Sequence, residues 1–253
     1  MKALLTNDDG IASPGLRALA DVFRTAHETV VVAPEHERSA TGHAITLHKP
    51  LRARSVTGYV SGVAAWATNG TPADCVVLAV GELLAWRPEV IVAGINVGPN
   101  LGLDLTYSGT VSGAMEGAIL GIPSLAVSVT SFVDAHFDLA AVFAERVARL
   151  VVERHLPGDS LLNINVPNLP RNRVKGVKIT HQSQRRYLSR LEKRIDPRGR
   201  PYYWLTGERE PVVDAEGTDG WAVANGFISV TPIQLNMTDD RLLNDLGDWS
   251  LAL

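Results

Sequence analysis

Two adjacent carboxylates near the start of the chain, Asp8 and Asp9, are the residues best suited to chemistry. They follow a short apolar run and precede Gly10, which marks a turn. Two like charges at the end of a buried strand repel each other and raise each other's proton affinity unless a cation intervenes. Carboxylate oxygens, joined by Ser and Asn oxygens, suit Mg²⁺ or Mn²⁺ better than Zn²⁺. The pair alone is equally compatible with an Asx-turn or a helix cap.

A second polar group, Ser108-Gly109-Thr110, lies directly before a predicted helix. Backbone N–H groups at a helix N-terminus attract anions, and the Ser and Thr hydroxyls extend such a pocket. Gly109 would let a phosphate approach the backbone closely. An ordinary N-cap by Ser108 or Thr110 explains the same residues. A carboxylate loop and an anion loop on one sheet edge together indicate phosphoryl chemistry.

Apolar strands alternate with amphipathic helices along most of the chain, which predicts a Rossmann-like three-layer α/β/α fold with a mostly parallel sheet. The predicted strands are residues 3–6, 29–33, 90–95, 125–129 and 227–231, and the predicted helices begin at Ser13-Pro14 and Thr71-Pro72 or span residues 110–120 and 137–153. Ligands bind beyond the carboxyl ends of the strands in such a sheet. We therefore expect the loops 7–10, 35–42 and 96–110 to converge.

The composition is that of a globular protein, with 45% hydrophobic and 20% charged residues. The net charge of −3 argues against nucleic-acid binding as the main role. Cys75 is the only cysteine, which excludes an internal disulfide, and no apolar run approaches the ~20 residues that a membrane helix needs. These features predict a soluble, cytoplasmic protein with no membrane partner and no specific nucleic-acid partner.

Several long segments resemble the SurE (survival protein E) family of nucleotidases. They are ALLTNDDG at 3–10, APEHERSATGHAITL at 33–47, GTPADCV at 70–76, GINVGPNLGLDLTYSGTVSGAMEG at 94–117, NINVP at 163–167 and SVTPI at 229–233. The resemblance implies a metal-dependent phosphomonoesterase that acts on nucleoside 5′- and 3′-monophosphates, with short polyphosphate as a further substrate of some members. It also implies one divalent cation per subunit, Mg²⁺ or Mn²⁺.

The resemblance also implies the site residues. The metal ligands would be Asp8, Asp9, Ser39 and Asn96, and the residues that hold the phosphate or substrate would be Asn7, Asn96, Ser108, Gly109 and Thr110. Asp8 and Asp9 would be the catalytic carboxylates, although the sequence does not distinguish which one accepts a proton. Ala40 and His43 depart from some members and leave the nucleoside preference open. Glu116 either supports the site or is a surface charge.

The sequence changes character after Pro167. Residues 171–200 hold eleven Lys or Arg against only Glu192 and Asp196, and helical periodicity fades. We predict a Rossmann-like catalytic core over residues 1–167 and a β-rich C-terminal extension over residues 168–253. By the resemblance, this extension completes the fold and serves as the arm that is exchanged in a dimer, which often pairs again as a tetramer.

The sequence is compatible with two mechanisms, and parts of it with three other function classes. Attack by water is favoured over Asp8 as a covalent nucleophile, because the aspartyl-phosphate enzymes carry DxDGT and this chain has NDDG followed by Ile11. The main alternative function is a non-catalytic nucleotide-binding module on the same fold. A dinucleotide oxidoreductase lacks its GxGxxG after the first strand, and an RNA-binding role would depend on the basic segment alone.

Overall fold

The computed structural model describes residues 1–157, 159–185, 187–209 and 214–249. Its centre is a nine-stranded sheet in the order β3-β4-β2-β1-β5-β6-β7-β11-β8, and a separate two-stranded hairpin is formed by β9 and β10. The strands are β1 (Lys2–Thr6), β2 (Glu28–Pro34), β3 (Ala53–Ser55), β4 (Ala64–Thr68), β5 (Val90–Val97), β6 (Ser124–Val129), β7 (Ser160–Val166), β8 (Val177–Ile179), β9 (Tyr187–Ile195), β10 (Pro201–Arg209) and β11 (Ile228–Gln234).

In the described ranges, six α-helices accompany the sheet. They are α1 (Pro14–Phe23), α2 (Pro72–Leu78), α3 (Gly109–Ile119), α4 (Asp138–Glu153), α5 (Asp219–Ala224) and α6 (Asp240–Gly247), and a π-helical turn (Ala79–Leu83) extends α2. The predicted α/β fold with a mostly parallel sheet is confirmed: β1 pairs in parallel with β2 and β5, and β6 pairs in parallel with β5 and β7. None of the helices in the described ranges is long and apolar enough to cross a membrane.

The central strands are covered on both faces because their side chains alternate. Ala3 and Leu5 of β1 belong to the apolar cluster that contains α1 and α4, whereas Leu4 belongs to the cluster that contains α2. Strands that are buried on both faces are apolar almost throughout. This explains the continuous apolar runs that the sequence shows at the first three predicted strands.

The starts of the helices follow from their capping residues. Thr71 accepts a hydrogen bond from the Asp74 backbone N–H, and Asp74 accepts one from the Thr71 backbone N–H, which forms a complete capping box before α2. Helix α1 begins at Pro14 after Ser13, as the sequence predicts, but the Ser13 hydroxyl makes no capping hydrogen bond. That hydroxyl is therefore available for another contact.

The C-terminal segment is only partly an arm. Strand β11 pairs antiparallel with β7, and β8 pairs in parallel with β11, so both extend the main sheet. The hairpin of β9 and β10 forms a sheet of its own. The short helices α5 and α6 also lie in this segment, where the sequence analysis recognised only β structure.

Candidate active site

The polar loops meet where the direction of the strand order reverses. Strand β1 lies between β2 and β5, and successive strands are added on the β2 side before the chain crosses to the β5 side. The crevice at such a topological switch point is the usual ligand site of an open α/β sheet. Gly10, at φ +93°, makes the turn after β1. Ile11 then donates its backbone N–H to the Pro34 carbonyl, with N and O 2.7 Å apart. This bond holds the loop after β1 against the loop after β2.

Asp8 is buried between two loops. It is 4% exposed and accepts a short hydrogen bond from the Thr110 hydroxyl at the start of α3. A Cβ on Gly109 would lie 2.7 Å from the Asp8 Cβ, so only glycine permits this approach. Burial raises the pKa of the Asp8 carboxyl, and the hydrogen bond from Thr110 opposes the rise. The carboxylate loop and the predicted phosphate loop are therefore in direct contact.

Asp9 lies beside Asp8 and faces a cavity. Its Oδ2 accepts a hydrogen bond from the Val97 backbone N–H, 3.3 Å away at the end of β5. Burial raises the pKa of Asp9 to about 6, with further contributions from the charges of Asp8 and Glu37. Three carboxylates thus share one region, and a bound cation would relieve their mutual repulsion.

Ser39 approaches this region from the loop after β2. Its hydroxyl donates to Glu37 Oε1 at 2.6 Å, which leaves the lone pairs of the Ser39 oxygen for another partner. In the same loop, the Arg38 backbone N–H donates to the Asp8 carbonyl at 2.7 Å. Sequence reasoning identified Ser39 but missed Glu37. A carboxylate two residues before the assigned Ser was the available signal.

The two asparagines assigned to the site differ in accessibility. Asn96 is partly exposed, and its amide nitrogen donates to the Gly98 carbonyl at 2.8 Å, which leaves its side-chain oxygen as a donor atom for a metal. Asn7 is fully buried, and its amide donates to the Gly10 carbonyl at 3.0 Å. Asn7 therefore shapes the turn that carries Asp8 and Asp9. Direct contact between Asn7 and a substrate stays a prediction.

The predicted phosphate loop carries two different hydroxyls. Ser108 is the N-cap of α3, and its oxygen accepts from the Val111 backbone N–H at 3.0 Å. The ordinary N-cap interpretation is therefore realised for Ser108, although its hydroxyl proton can still be donated. The single hydroxyl proton of Thr110 is already donated to Asp8. The Thr110 backbone N–H also contributes to lowering the pKa of Asp8, so an anion at this helix N-terminus would share that donor with Asp8.

The loop that carries Ser39 is fastened at two further points. His43 Nε2 and Glu116 Oε2 are 2.8 Å apart, and the Glu116 side chain is only 10% exposed. The Thr46 backbone and hydroxyl both donate to Asp74, at 2.8 and 2.6 Å. Burial raises the pKa of Asp74, but the hydrogen bonds from Thr46 and Thr71 outweigh it and lower the pKa below its usual value. Glu116 is thus a buried partner of the loop and not a surface charge.

A buried amide network supports the segment between β5 and α3. Asn165 of β7 accepts from the Asn100 backbone N–H at 2.9 Å and donates to the Asn100 carbonyl at 2.8 Å. Asn163 donates to the same carbonyl at 2.9 Å, and the Asn100 amide donates to Ser128. Sequence reasoning missed these residues as supports of the site. The available signal was two asparagines in an otherwise apolar strand, which need buried partners.

A cavity of about 410 Å³ opens beside the carboxylates. Its lining residues are Asp9, Ser13, Pro14, Glu37, Ser39, Val97 and Phe132. The volume lies within the range of small-molecule sites, about 300–1,000 Å³. Of the assigned metal ligands, Asp9 and Ser39 line the cavity, while Asp8 lies beneath them against the start of α3.

The donor atoms in this region fit a hard cation. They are carboxylate, hydroxyl and amide oxygens, the set that Mg²⁺ and Mn²⁺ prefer. In the described part of the chain, His, Cys, Asp and Glu side chains do not group in threes as a metal site. A cation here would thus depend on Ser39 and Asn96 besides the two aspartates. The buried, adjacent carboxylates of Asp8 and Asp9, both with raised pKa, are the observation that supports the fit.

Fold and site together define an α/β protein in which carboxylate, hydroxyl and amide oxygens lie beside the start of α3 at the switch point of the sheet. The sequence profile of the family described as "Survival protein SurE" matches residues 3–189. The chain therefore belongs to the SurE family.

Relatives and a solved structure match nearly the whole chain. A protein of Heliobacterium modesticaldum named "5'-nucleotidase SurE" is 51% identical over 98% of this chain and 92% of its own length. A protein of Moorella thermoacetica with the same name is 51% identical over 98% of this chain and 96% of its own. The crystal structure of the SurE protein from Aquifex aeolicus superimposes with a TM-score of 0.85 at 42% identity and covers 98% of both chains.

Proposed function

We propose that the protein is a divalent-metal-dependent 5′-nucleotidase that hydrolyses nucleoside 5′-monophosphates to nucleoside and phosphate. The observation that carries the proposal is the contact between Asp8 and the first turn of α3, made by the Thr110 hydroxyl and the bare backbone of Gly109. It joins a carboxylate site and an anion site in one place. The names of the relatives point to the same activity.

In this proposal Asp8, Asp9, Ser39 and Asn96 hold one cation, Mg²⁺ or Mn²⁺. When bound, the cation supplies positive charge that offsets the charge of the phosphoryl group and favours deprotonation of a water molecule. The oxygens of Ser39 and Asn96 keep lone pairs for this role, because each side chain uses its donor group elsewhere. Asn7 contributes by holding the turn at Gly10.

The remaining steps belong to the residues of the chain. The Ser108 hydroxyl and the N–H groups of Gly109 and Thr110 orient the phosphate oxygens at the start of α3. Asp9 is better placed than Asp8 to accept a proton from the attacking water, because it faces the cavity while Asp8 Oδ1 is engaged by Thr110. Attack by water stays the preferred mechanism over a covalent Asp8 intermediate.

Three finer assignments are part of the proposal. We infer that 3′-monophosphates and short polyphosphate are further substrates, as the family resemblance implies. Residues 1–167 would form the catalytic core, and residues 168–253 would complete the fold and the oligomer interface. The exposed apolar side chains of the β9–β10 hairpin, among them Leu191, Trp204 and Leu205, support its use as an arm that is exchanged in a dimer.

The experiment is phosphate release from a panel of nucleoside 5′- and 3′-monophosphates in Mg²⁺, Mn²⁺ or EDTA. We expect release that depends on metal and that is abolished by EDTA. A folded protein that binds these nucleotides but releases no phosphate with either metal would be a binding module, and the proposal would be wrong. Light scattering after chromatography, with and without the hairpin residues 187–209, tests the arm: we expect a dimer or tetramer that is lost on deletion.

A further inference from the structure

The cavity beside Asp9 has an apolar part that the phosphate chemistry does not use. Pro14, Val97 and Phe132 line it together with the oxygen-bearing residues. Phe132 is 57% exposed and lines the cavity, so part of its ring is accessible to a ligand there. An aromatic ring at the mouth of a small-molecule cavity offers a flat face for a planar ligand.

The backbone beneath Phe132 fixes the position of its ring. A Cβ on Gly98 would lie within 2.9 Å of Phe132 Cζ, so the ring rests directly on glycine backbone at the end of β5. The Gly98 N–H donates to the Val129 carbonyl at 3.0 Å, and Ser131 closes a turn back to the same carbonyl. The Phe132 ring is therefore held next to the end of β5, where the Val97 N–H donates a hydrogen bond to Asp9.

Ser13 supplies an independent indication of a ligand. It is 6% exposed and lines the cavity, and its hydroxyl has no hydrogen-bond partner among the described residues. The hydroxyl does not cap α1, although Ser13 stands at the N-cap. Buried polar groups normally have a partner, so a polar group of a ligand in the cavity would satisfy it.

We propose that this part of the cavity is the nucleoside subsite, with Phe132 stacking against the base and the Ser13 hydroxyl bonding a polar group of the nucleoside. The inference rests on the proposed function and deepens it, because it states where the leaving nucleoside lies. Stacking on a ring tolerates any base, since every base has a π-face.

The test compares a substrate with a base and one without. Adenosine 5′-monophosphate and glycerol 2-phosphate are assayed with the metal-loaded wild type and with Phe132→Ala, Phe132→Trp and Ser13→Ala. We expect Phe132→Ala to raise KM for the nucleotide about five- to tenfold, near the low end of a lost stacking contact. We expect Ser13→Ala to raise it about two- to tenfold, as for one hydrogen bond. Values of kcat, and all constants for glycerol 2-phosphate, stay near wild type.

Two further variants test whether the effect on KM is specific to the Phe132 ring. Val133→Ala alters the neighbouring residue, which is 71% exposed, and should leave both substrates unaffected. Tyr107→Ala removes a rival aromatic side chain, 67% exposed, directly before Ser108 in the sequence. Phe132→Trp should keep or lower KM for the nucleotide. If Tyr107→Ala and not Phe132→Ala raised that KM, or if Phe132→Ala impaired glycerol 2-phosphate equally, the inference would be wrong.

Adenosine binding tests the proposed nucleoside subsite without catalysis. Titration calorimetry in EDTA should show that adenosine binds to the wild type and that it binds about five- to tenfold more weakly to Phe132→Ala. Equal affinity, or no binding to the wild type, overturns the inference. Because this readout needs neither phosphate nor metal, it stands even if the wild type releases no phosphate from any substrate, the result that would overturn the proposed function.

Discussion

Replacing Asp9 by Asn should stabilise the metal-free protein. Burial and the neighbouring Asp8 raise the pKa of Asp9 from 3.8 to about 6. Each pKa unit corresponds to about 1.4 kcal/mol, so the ionised carboxylate opposes folding by up to about 3 kcal/mol. Asp9 is partly exposed and interacts with water, so we expect a gain of about 1–3 kcal/mol in the free energy of unfolding of Asp9→Asn.

The pH dependence has a definite sign. A carboxylate whose pKa is raised in the folded state holds its proton more tightly there than in the unfolded chain. The wild type therefore loses stability as the pH rises through the window from about 4 to 6, and the loss stays constant above it. The Asn side chain does not titrate. The advantage of Asp9→Asn should be absent near the bottom of this window and complete above its top.

The assay is urea unfolding in EDTA, followed by tryptophan fluorescence at several pH values across and above the window. For a chain of this size, 1–3 kcal/mol corresponds to roughly 2–12 °C in Tm, which calorimetry can confirm. Asp21→Asn is the matched control, because that exposed carboxylate pairs with Arg24 on the surface and its loss should change stability by less than about 1 kcal/mol. A variant that is no more stable than the wild type in EDTA above the window would refute this reasoning.

Saturating Mg²⁺ or Mn²⁺ should stabilise the wild type much more than Asp9→Asn and so offset most or all of the advantage of the variant. Metal that binds only the folded state stabilises it by mass action, about 2.7 kcal/mol at a concentration one hundred times the Kd. The wild type gains this, whereas Asp9→Asn loses a ligand and gains little. Equal stabilisation of both proteins by metal would contradict the assignment of Asp9 as a ligand.

Three further changes test the support of the site. Thr110→Val removes the hydroxyl that contacts buried Asp8. It should lower kcat/KM for a nucleotide at least about tenfold and the unfolding free energy by about 1–3 kcal/mol. Thr110→Ser should retain most of the activity and stability, and equal behaviour of the two variants would contradict this. Glu116→Leu removes the partner of His43 and should raise KM, because the loop that carries Ser39 becomes less firmly held. Glu116→Gln keeps a hydrogen-bond acceptor and should remain near wild type in steady-state kinetics. An unchanged KM in Glu116→Leu would contradict this prediction. Asn165→Leu leaves the buried Asn100 backbone N–H without its acceptor, while the Asn100 carbonyl keeps the bond from Asn163. The unfolding free energy measured in urea should fall by about 1–3 kcal/mol, and a fully stable variant would disprove this.

Much of the fold follows from local sequence signals. The strands β1, β2, β5, β6 and β11 show as apolar runs, and the starts of α1 and α2 are marked by Ser13-Pro14 and Thr71-Pro72, so these elements were predicted within a few residues. The strands β4 and β7 of the same sheet were not predicted. The C-terminal half of the sheet was less predictable. Strand β8 is short and exposed, and it is identified only by its pairing with β11. Helices α5 and α6 are too short to show a clear period.

The candidate site divides in the same way. The convergence of the carboxylates and the Ser-Gly-Thr loop could be predicted. The carboxylates follow a parallel strand, the Ser-Gly-Thr loop precedes a helix, and both positions lie at the same edge of the sheet. The hydrogen bond from Thr110 to Asp8 spans 102 residues, and the pair of His43 and Glu116 spans 73. No local pattern encodes such contacts. Phe132 in particular lies in a loop whose sequence carries no motif, and only the cavity reveals its position.

The most direct test of the central claim is phosphate release from adenosine 5′-monophosphate by the wild type and by Asp9→Asn, each with Mn²⁺, with Mg²⁺ and with EDTA. The account predicts rapid release by the wild type with metal, none in EDTA, and a loss of at least about a hundredfold in kcat/KM for the variant. Release by the wild type that persists in EDTA, or a variant that turns over at the wild-type rate, would contradict it.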